Sequence, residues 1–277
     1  MNQPRIELLI NLYPWKPSMV LFRLLEWQVI YRNKMLLPSP TLDLGCGDGW
    51  INHLVLGEDM ATVGLDMALK SVQRAKSLIR RVVCGDAQRL PFRHEVFGSI
   101  YSNCVIEHLP EIDTCLAEAA TVLRPGGILI ATVPNSHWQA LHFWNRFFSA
   151  IGVSHIGRKL VDAYDQQMMH LNLLSPDEWV KKLHKAGFHP LIIDSFLSPT
   201  NALFVTFVES IFMLPFPFPG FWKKDGMFYF VTGVLRRIGI EPLWKKFFVR
   251  VIARLCHKET YPVKMGAATL LVARKVK

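Results

Sequence analysis

Residues 42–50, Leu-Asp-Leu-Gly-Cys-Gly-Asp-Gly-Trp, constrain this chain more than any other stretch. An apolar run containing one acid reads as a short buried strand. Gly45, Gly47 and Gly49 then fall at every second position, and residues 50–56 read as the first turns of a helix. Glycines belong where the backbone turns sharply or where a ligand must come close without meeting a side chain. A glycine turn between strand and helix is how open α/β sheets hold nucleotide-like ligands at the carboxyl ends of their strands. The spacing here is G-x-G-x-G, with Asp43 two residues ahead. The dinucleotide fingerprint is G-x-G-x-x-G, so a pyrophosphate suits this loop poorly.

The flanking pattern repeats the strand-and-helix theme. Pro17-Ser18 opens a helix expected to run to residue 36. It is apolar around most of its circumference, so it should pack on the body of the domain. Pro38-Ser39-Pro40 stops it and sets up the strand at 41–44. Residues 61–66 read as a second strand ending on Asp66, 21 residues beyond Gly45. That is where a βαβ unit sets a carboxylate against ribose hydroxyls, and a carboxylate can accept from both. A helix at 68–79, a strand at 82–84, a strand at 97–102, a helix at 113–123 and a strand at 128–133 follow. Strands and helices alternating at this interval predict a doubly wound, mostly parallel sheet.

Between these elements lie Gly85-Asp86-Ala87-Gln88-Arg89-Leu90-Pro91-Phe92, Asn103-Cys104-Val105-Ile106-Glu107-His108-Leu109 and Arg124-Pro125-Gly126-Gly127. Together with the glycine loop and Asp66, they resemble class I (Rossmann-like) S-adenosylmethionine-dependent methyltransferases, in the branch acting on small molecules and lipids. The resemblance covers about residues 41–135. It implies a three-layer fold with a seven-stranded, mostly parallel sheet whose last strand is antiparallel. It implies S-adenosylmethionine as cofactor. Gly45, Gly47 and Gly49 would let its methionine part approach the backbone, and Asp43 would hold the ammonium end. Asp66 would take the ribose hydroxyls, Asp86 and Ala87 would face the adenine edge, and Asn103 and Cys104 would border cofactor and acceptor. His108 is the candidate general base.

Past residue 135 the pattern thins. Residues 135–170 are rich in aromatics and histidines, where this superfamily places elements that cover the substrate. His137, His155, Tyr164, Asp165 and His170 are candidate acceptor contacts there. Ser175-Pro176-Asp177-Glu178 is a helix start with a capping box. The helix should end at Gly187, followed by a strand at 188–196, and residues 267–274 read as the closing seventh strand. About 70 residues, 197–266, therefore lie between the last two strands. In 202–222 only Glu209 is charged among the acids and bases, and alternate prolines at Pro215, Pro217 and Pro219 cannot continue a helix. Trp244, Phe247, Phe248, Val251, Ile252 and Leu255 are expected on one helical stripe, with Lys245, Lys246, Arg250 and Arg254 off it.

Charge is unevenly placed. Residues 1–135 hold 13 Lys and Arg against 13 Asp and Glu, and residues 136–222 hold 6 against 6. Residues 223–277 hold 13 against 3, which supplies the whole net charge of +10. A basic, aromatic, apolar helix suits an anionic bilayer surface. Nucleic acid is not expected, because the basic end is apolar and lacks a recognition motif. No histidine pair at helical spacing suggests a metal. The five scattered cysteines suit a reducing compartment, and the N-terminus does not read as a signal peptide.

The expected organisation has three parts. Residues 1–40 form a helical segment on the core. Residues 41–196 with 267–277 form the cofactor domain. Residues 197–266 form an apolar, basic insertion that covers substrate or touches a membrane. The expected function is methyl transfer to a small, apolar or lipid-linked acceptor at a membrane surface, in a cytoplasmic, peripheral protein. Two alternatives remain at this point: an NAD(P)-dependent oxidoreductase, and a non-catalytic membrane-associated scaffold of the same fold. Residues 85–92 and 102–109 have no role in the first.

Overall fold

A computed structural model describes residues 3–13, 16–57, 61–213, 233, 234 and 236–276. Its seven strands are β1 (Thr41–Leu44), β2 (Thr62–Asp66), β3 (Arg81–Cys84), β4 (Phe97–Asn103), β5 (Leu123–Pro134), β6 (Phe188–Phe196) and β7 (Ala268–Lys275). They pair in the order β3-β2-β1-β4-β5-β7-β6, with β7 antiparallel to both neighbours and the other pairings parallel. This is the seven-stranded sheet the motifs imply. The chain leaves β1 toward β2 on one side and meets β4 on the other, so a crevice opens at the carboxyl ends of β1 and β4.

Residues alternate between two apolar layers. Tyr101, Ile130, Leu270 and Val272 face one core, and Ile100, Leu129, Leu271 and Ala273 face the other. Period-two alternation with apolar residues on both sides is what a sheet covered by helices on each face requires. Helices α5 (Ile112–Val122) and α9 (Pro176–Lys185) cover the second face through Leu116, Ala119, Trp179 and Leu183. Ser175 caps α9 with both halves of the expected box in place.

The first face is covered by α1 (Gln3–Leu12), α2 (Pro17–Asn33), α3 (Trp50–Leu56), α8 (Ser154–Met168), α10 (Pro199–Met213) and α11 (Glu241–Lys258). Their Leu9, Leu21, Leu24, Val55, Tyr164, Val205 and Ile252 form one core with the sheet. Helix α1 lies in the segment 1–40 expected to be helical, although only the helix from residue 17 is expected individually. Helix α4 (Leu69–Ala75) is shorter than expected, and the chain turns through residues 76–79 instead.

Two further details, in β5 and in α11, differ from expectation. The Arg-Pro-Gly-Gly stretch is not a turn before β5 but a bulge inside it. Phe97 pairs with Leu123 while Ser99 pairs with Ile128, so the extra residues loop out, with Gly126 at φ +75°. Residues 135–170 fold into α6 (His137–Leu141), α7 (Phe143–Ala150) and α8. The α11 stripe is split: Ile252 and Cys256 are buried, whereas Leu243 and Phe247 are 67% and 59% exposed. The shared stripe fails because α1 and α2 leave only one side of α11 to cover. Lys245 pairs at the surface with Glu241 and Asn11, while Lys246, Arg250 and Arg254 are exposed. The alternating prolines at 215–219 lie outside the described residues.

Candidate active site

The glycine loop is tied to the neighbouring strand by Gly45 N and Cys46 N, which donate to Leu65 O at 2.7 and 2.9 Å. Gly45, Gly47 and Gly49 all have left-handed φ, +78°, +55° and +84°. Two of them are glycine for different reasons. A Cβ on Gly45 would stand 2.3 Å from Val105 Cγ2, so the chain leaving β4 closes directly over the loop. A Cβ on Gly47 would meet nothing within 4 Å, which leaves an open cradle.

The acids surround that cradle. Asp66 Oδ2 accepts from Gly47 N at 2.9 Å and Oδ1 from Ala68 N at 2.8 Å, so the carboxylate is fixed with lone pairs still to offer. Met67 and Leu69, 77% and 59% exposed, put bare apolar surface beside it. Asp43 is 2% exposed, and burial, with the Asp66 charge adding to it, pushes its carboxyl up to about 7. Asp86 Oδ1 accepts from Gln88 N at 2.8 Å and locks its own turn. The Ala87 side chain is buried in the core, so its backbone is the part available to a ligand.

Past Val105, a one-turn 3-10 helix (Ile106–His108) carries Glu107 and His108. Leu171 N and Asn172 N donate to Glu107 O at 3.1 Å each, tying the segment after α8 to the carboxyl end of β4. His108 Nδ1 lies 2.9 Å from Met169 O; a carbonyl only accepts, so Nδ1 carries the proton. His170 stacks on His108 at 5.6 Å between centroids, with Trp138 edge-on to His170 at 5.9 Å. Asp165 Oδ1 is 3.0 Å from His170 Nδ1, and Gln139 Nε2 donates to Asp165 Oδ2 at 2.7 Å. Tyr164 donates its hydroxyl to Glu209. The structure thus brings His108, Tyr164, Asp165 and His170 into one cluster. His137 sits apart, its Nδ1 3.3 Å from Gly266 O, and His155 is exposed on α8.

Residues 42–131, which contain the loop, Asp66, Asp86 and His108, match the methyltransferase domain family. The chain carries a class I, Rossmann-like methyltransferase domain. That family and fold imply S-adenosylmethionine as its cofactor and decide the loop against a nicotinamide dinucleotide. A ubiquinone biosynthesis O-methyltransferase of Chelativorans sp. strain BNC1 is 29% identical over 157 residues, covering 53% of this chain and 57% of that protein. A trans-aconitate 2-methyltransferase of Methylobacterium radiotolerans is 25% identical over 198 residues, covering 68% and 74%. The match thus spans little more than half the length of the first of these relatives. An S-adenosylmethionine-dependent methyltransferase of Thermotoga maritima shares the fold at a TM-score of 0.54 and 18% identity, over 98% of each chain.

Beside this domain, α2 contributes one arrangement that no motif announced. Glu26 of α2, fully buried, accepts from Arg23 Nη1 at 2.6 Å and from Cys104 Sγ at 3.0 Å. Thr132 Oγ1 lies 2.6 Å from Glu26 Oε1 and 2.7 Å from Asn103 Oδ1, linking Asn103 to the same carboxylate. Cys104 has a left-handed φ of +51°, costly for a residue with a side chain. Burial beside Glu26 and Glu107 pushes its thiol well up, so it donates rather than attacks. Arg23 Nε is buried without a partner, in a neighbourhood that includes Tyr13, whose hydroxyl feels both Arg23 and Asp48 of the glycine loop. One signal could have found this pair: two charges, Arg23 and Glu26, inside an otherwise apolar helix, where an unpaired charge is costly.

Proposed function

We propose that this protein is an S-adenosylmethionine-dependent methyltransferase that methylates an oxygen of a small acceptor. The observation that carries it is the open cradle at Gly47 with Asp66 fixed at its edge and Asp43 buried next to it. Asp66 would take the ribose hydroxyls, with Met67 and Leu69 against the purine. Asp43 would hold the ammonium group. The unpartnered Arg23 Nε suits the carboxylate of the same amino-acid end. Asp86, the Ala87 backbone and Asn103 complete the edge. When bound, the cofactor supplies an activated methyl group; the chain's part is to hold donor and acceptor in line and exclude water. Oxygen is proposed as the acceptor atom because the relatives at 29% and 31% identity are named O-methyltransferases. Isothermal titration with S-adenosylmethionine and S-adenosylhomocysteine tests this: micromolar-range binding is expected, weakened at least tenfold in Asp66→Ala. Absence of binding to the folded protein would sink it, and binding without turnover on any extract would favour the scaffold alternative.

The acceptor is lipid-linked in the finer form of this proposal, and the protein meets it at an anionic membrane surface. Supporting that form, the outward side of α11 presents Leu243 and Phe247 beside Lys246, Arg250 and Arg254, none of the three in an ion pair among the described residues. No helix among the described residues is long and apolar enough to cross a membrane. Flotation with phosphatidylcholine vesicles, with and without phosphatidylserine, should show anionic-lipid binding that weakens in salt and in Phe247→Glu. Equal flotation on both vesicle types would remove the membrane from the proposal.

A further inference from the structure

Two histidines meet at the mouth of the candidate site, and their surroundings differ. His108 uses Nδ1 on Met169 O, and its Nε2 faces Glu107 Oε1 at 3.7 Å. Burial pushes the Glu107 carboxyl up to about 8, and its Oε1 stands beside that nitrogen. His108 Nε2 therefore already has a carboxyl oxygen beside it. His170 has the opposite arrangement. Its Nδ1 faces the Asp165 carboxylate, which can only accept, so Nδ1 carries the proton and Nε2 the lone pair. Gln139 pins the far oxygen of Asp165, which fixes the carboxylate and through it the ring. His170 Nε2 has no hydrogen-bond partner among the described residues.

We propose that His170, oriented by Asp165, is the base that takes the proton of a hydroxyl acceptor. This rests on the methyltransferase reading and adds a residue role to it. The acceptor oxygen gives its proton to His170 Nε2 and its electron pair to a new O–C bond. As that bond forms, the donor's S–C bond breaks with its pair going to sulfur, leaving a neutral thioether and an imidazolium beside Asp165. A base backed by a carboxylate is the arrangement that stabilises such an imidazolium. The titratable groups facing His170 are Asp165 from its own segment, His108 from the turn after β4, His142 after α6, and Tyr164 with Glu209 from α8 and α10. The rings packed around His170 are aromatic: Trp138, Tyr164 and His108. Planar phenolic or enolic hydroxyls are thus the chemical class that fits.

The test uses 4-nitrocatechol, whose phenolate absorbs in the visible, added to the full chain with S-adenosylhomocysteine. In wild type, bound probe should ionise at a pH where free probe does not. His170→Gln should abolish that band, and Asp165→Asn should weaken it at least tenfold with partial rescue by Asp165→Glu, while S-adenosylhomocysteine affinity stays within about twofold. Turnover of the probe should lose the acid limb of its pH–rate profile in His170→Gln. The proposal is overturned if His170→Gln keeps the ionised band, if His108→Gln abolishes it instead, or if the probe stays neutral in wild type carrying S-adenosylhomocysteine. Failure of S-adenosylhomocysteine to bind wild type would instead strike the underlying function.

Discussion

At the scale of single residues, Gly45 and Gly47, both with left-handed backbone, separate fold from ligand. Gly45→Ala places a methyl group against Val105 at a strained φ, and should cost roughly 1–3 kcal/mol of stability. Gly47→Ala is strained too but meets no atom. It should leave a melt within about 1–2 kcal/mol of wild type while weakening S-adenosylhomocysteine at least tenfold. Thermal melts paired with calorimetric titrations distinguish the two. Asp43 gives a second residue-level prediction. With its carboxyl at about 7, it must lose a proton before it can hold an ammonium group. S-adenosylhomocysteine affinity should therefore rise about tenfold per pH unit toward 7 and level off there. Above about 8 it should fall again as the ligand's own amine deprotonates. Asp43→Asn should bind weakly and lose the rising limb.

At the scale of elements, α9 is set by local sequence and β5 is not. The Ser175 and Glu178 side chains close a reciprocal cap, and Trp179 and Leu183 then anchor the helix under the sheet. Ser175→Ala should cost about 1 kcal/mol, or about 2–4 °C in Tm, with no effect on cofactor affinity. The bulge in β5 depends on its partner instead. A Pro-Gly-Gly sequence signals a turn when read alone, yet pairing of Phe97 with Leu123 draws Leu123 into the strand. Helix α11 shows the same dependence. Its composition permits several apolar stripes, and packing against α1 and α2 selects the one through Ile252 and Cys256.

At the scale of the whole molecule, the buried acids set a pH dependence of stability. Asp43 and Glu107 sit at about 7 and about 8 in the fold, well above their ordinary values near 4, because burial disfavours their charge. Between those limits the folded protein binds more protons than the unfolded chain, so stability falls as pH rises. Glu209, also raised by burial, adds the same sign. His142 is held down to about 4 by burial, so it works the other way, but only between about 4 and 6.5. The window from pH 6.5 to 8 therefore isolates the acids. Denaturant melts there should lose up to about 1.4 kcal/mol per pH unit for each proton involved. Glu107→Gln should flatten the slope by about one proton; an unchanged slope would show that Glu107 is ionised in the fold.

The glycine turn, the acid ending the second strand, the alternation of strands and helices, and the cap of α9 are all legible in the linear chain. Each depends on neighbours a few residues apart, where backbone geometry and side-chain chemistry act directly. The linear chain also put His108, Tyr164 and His170 among the candidates, but could not rank them against His137 and His155, which are equally aromatic in context. Packing alone establishes that Asp165 backs His170, that Glu26 reaches across to Cys104 and Thr132, and which side of α11 stays bare. Asp165 and His170 stand five positions apart but meet only where α8 ends, Glu26 reaches residues 78 and 106 positions away, and the bare side of α11 depends on what covers its surface. Burial and hydrogen-bond pairing are properties of the packed molecule, and no local pattern specifies them.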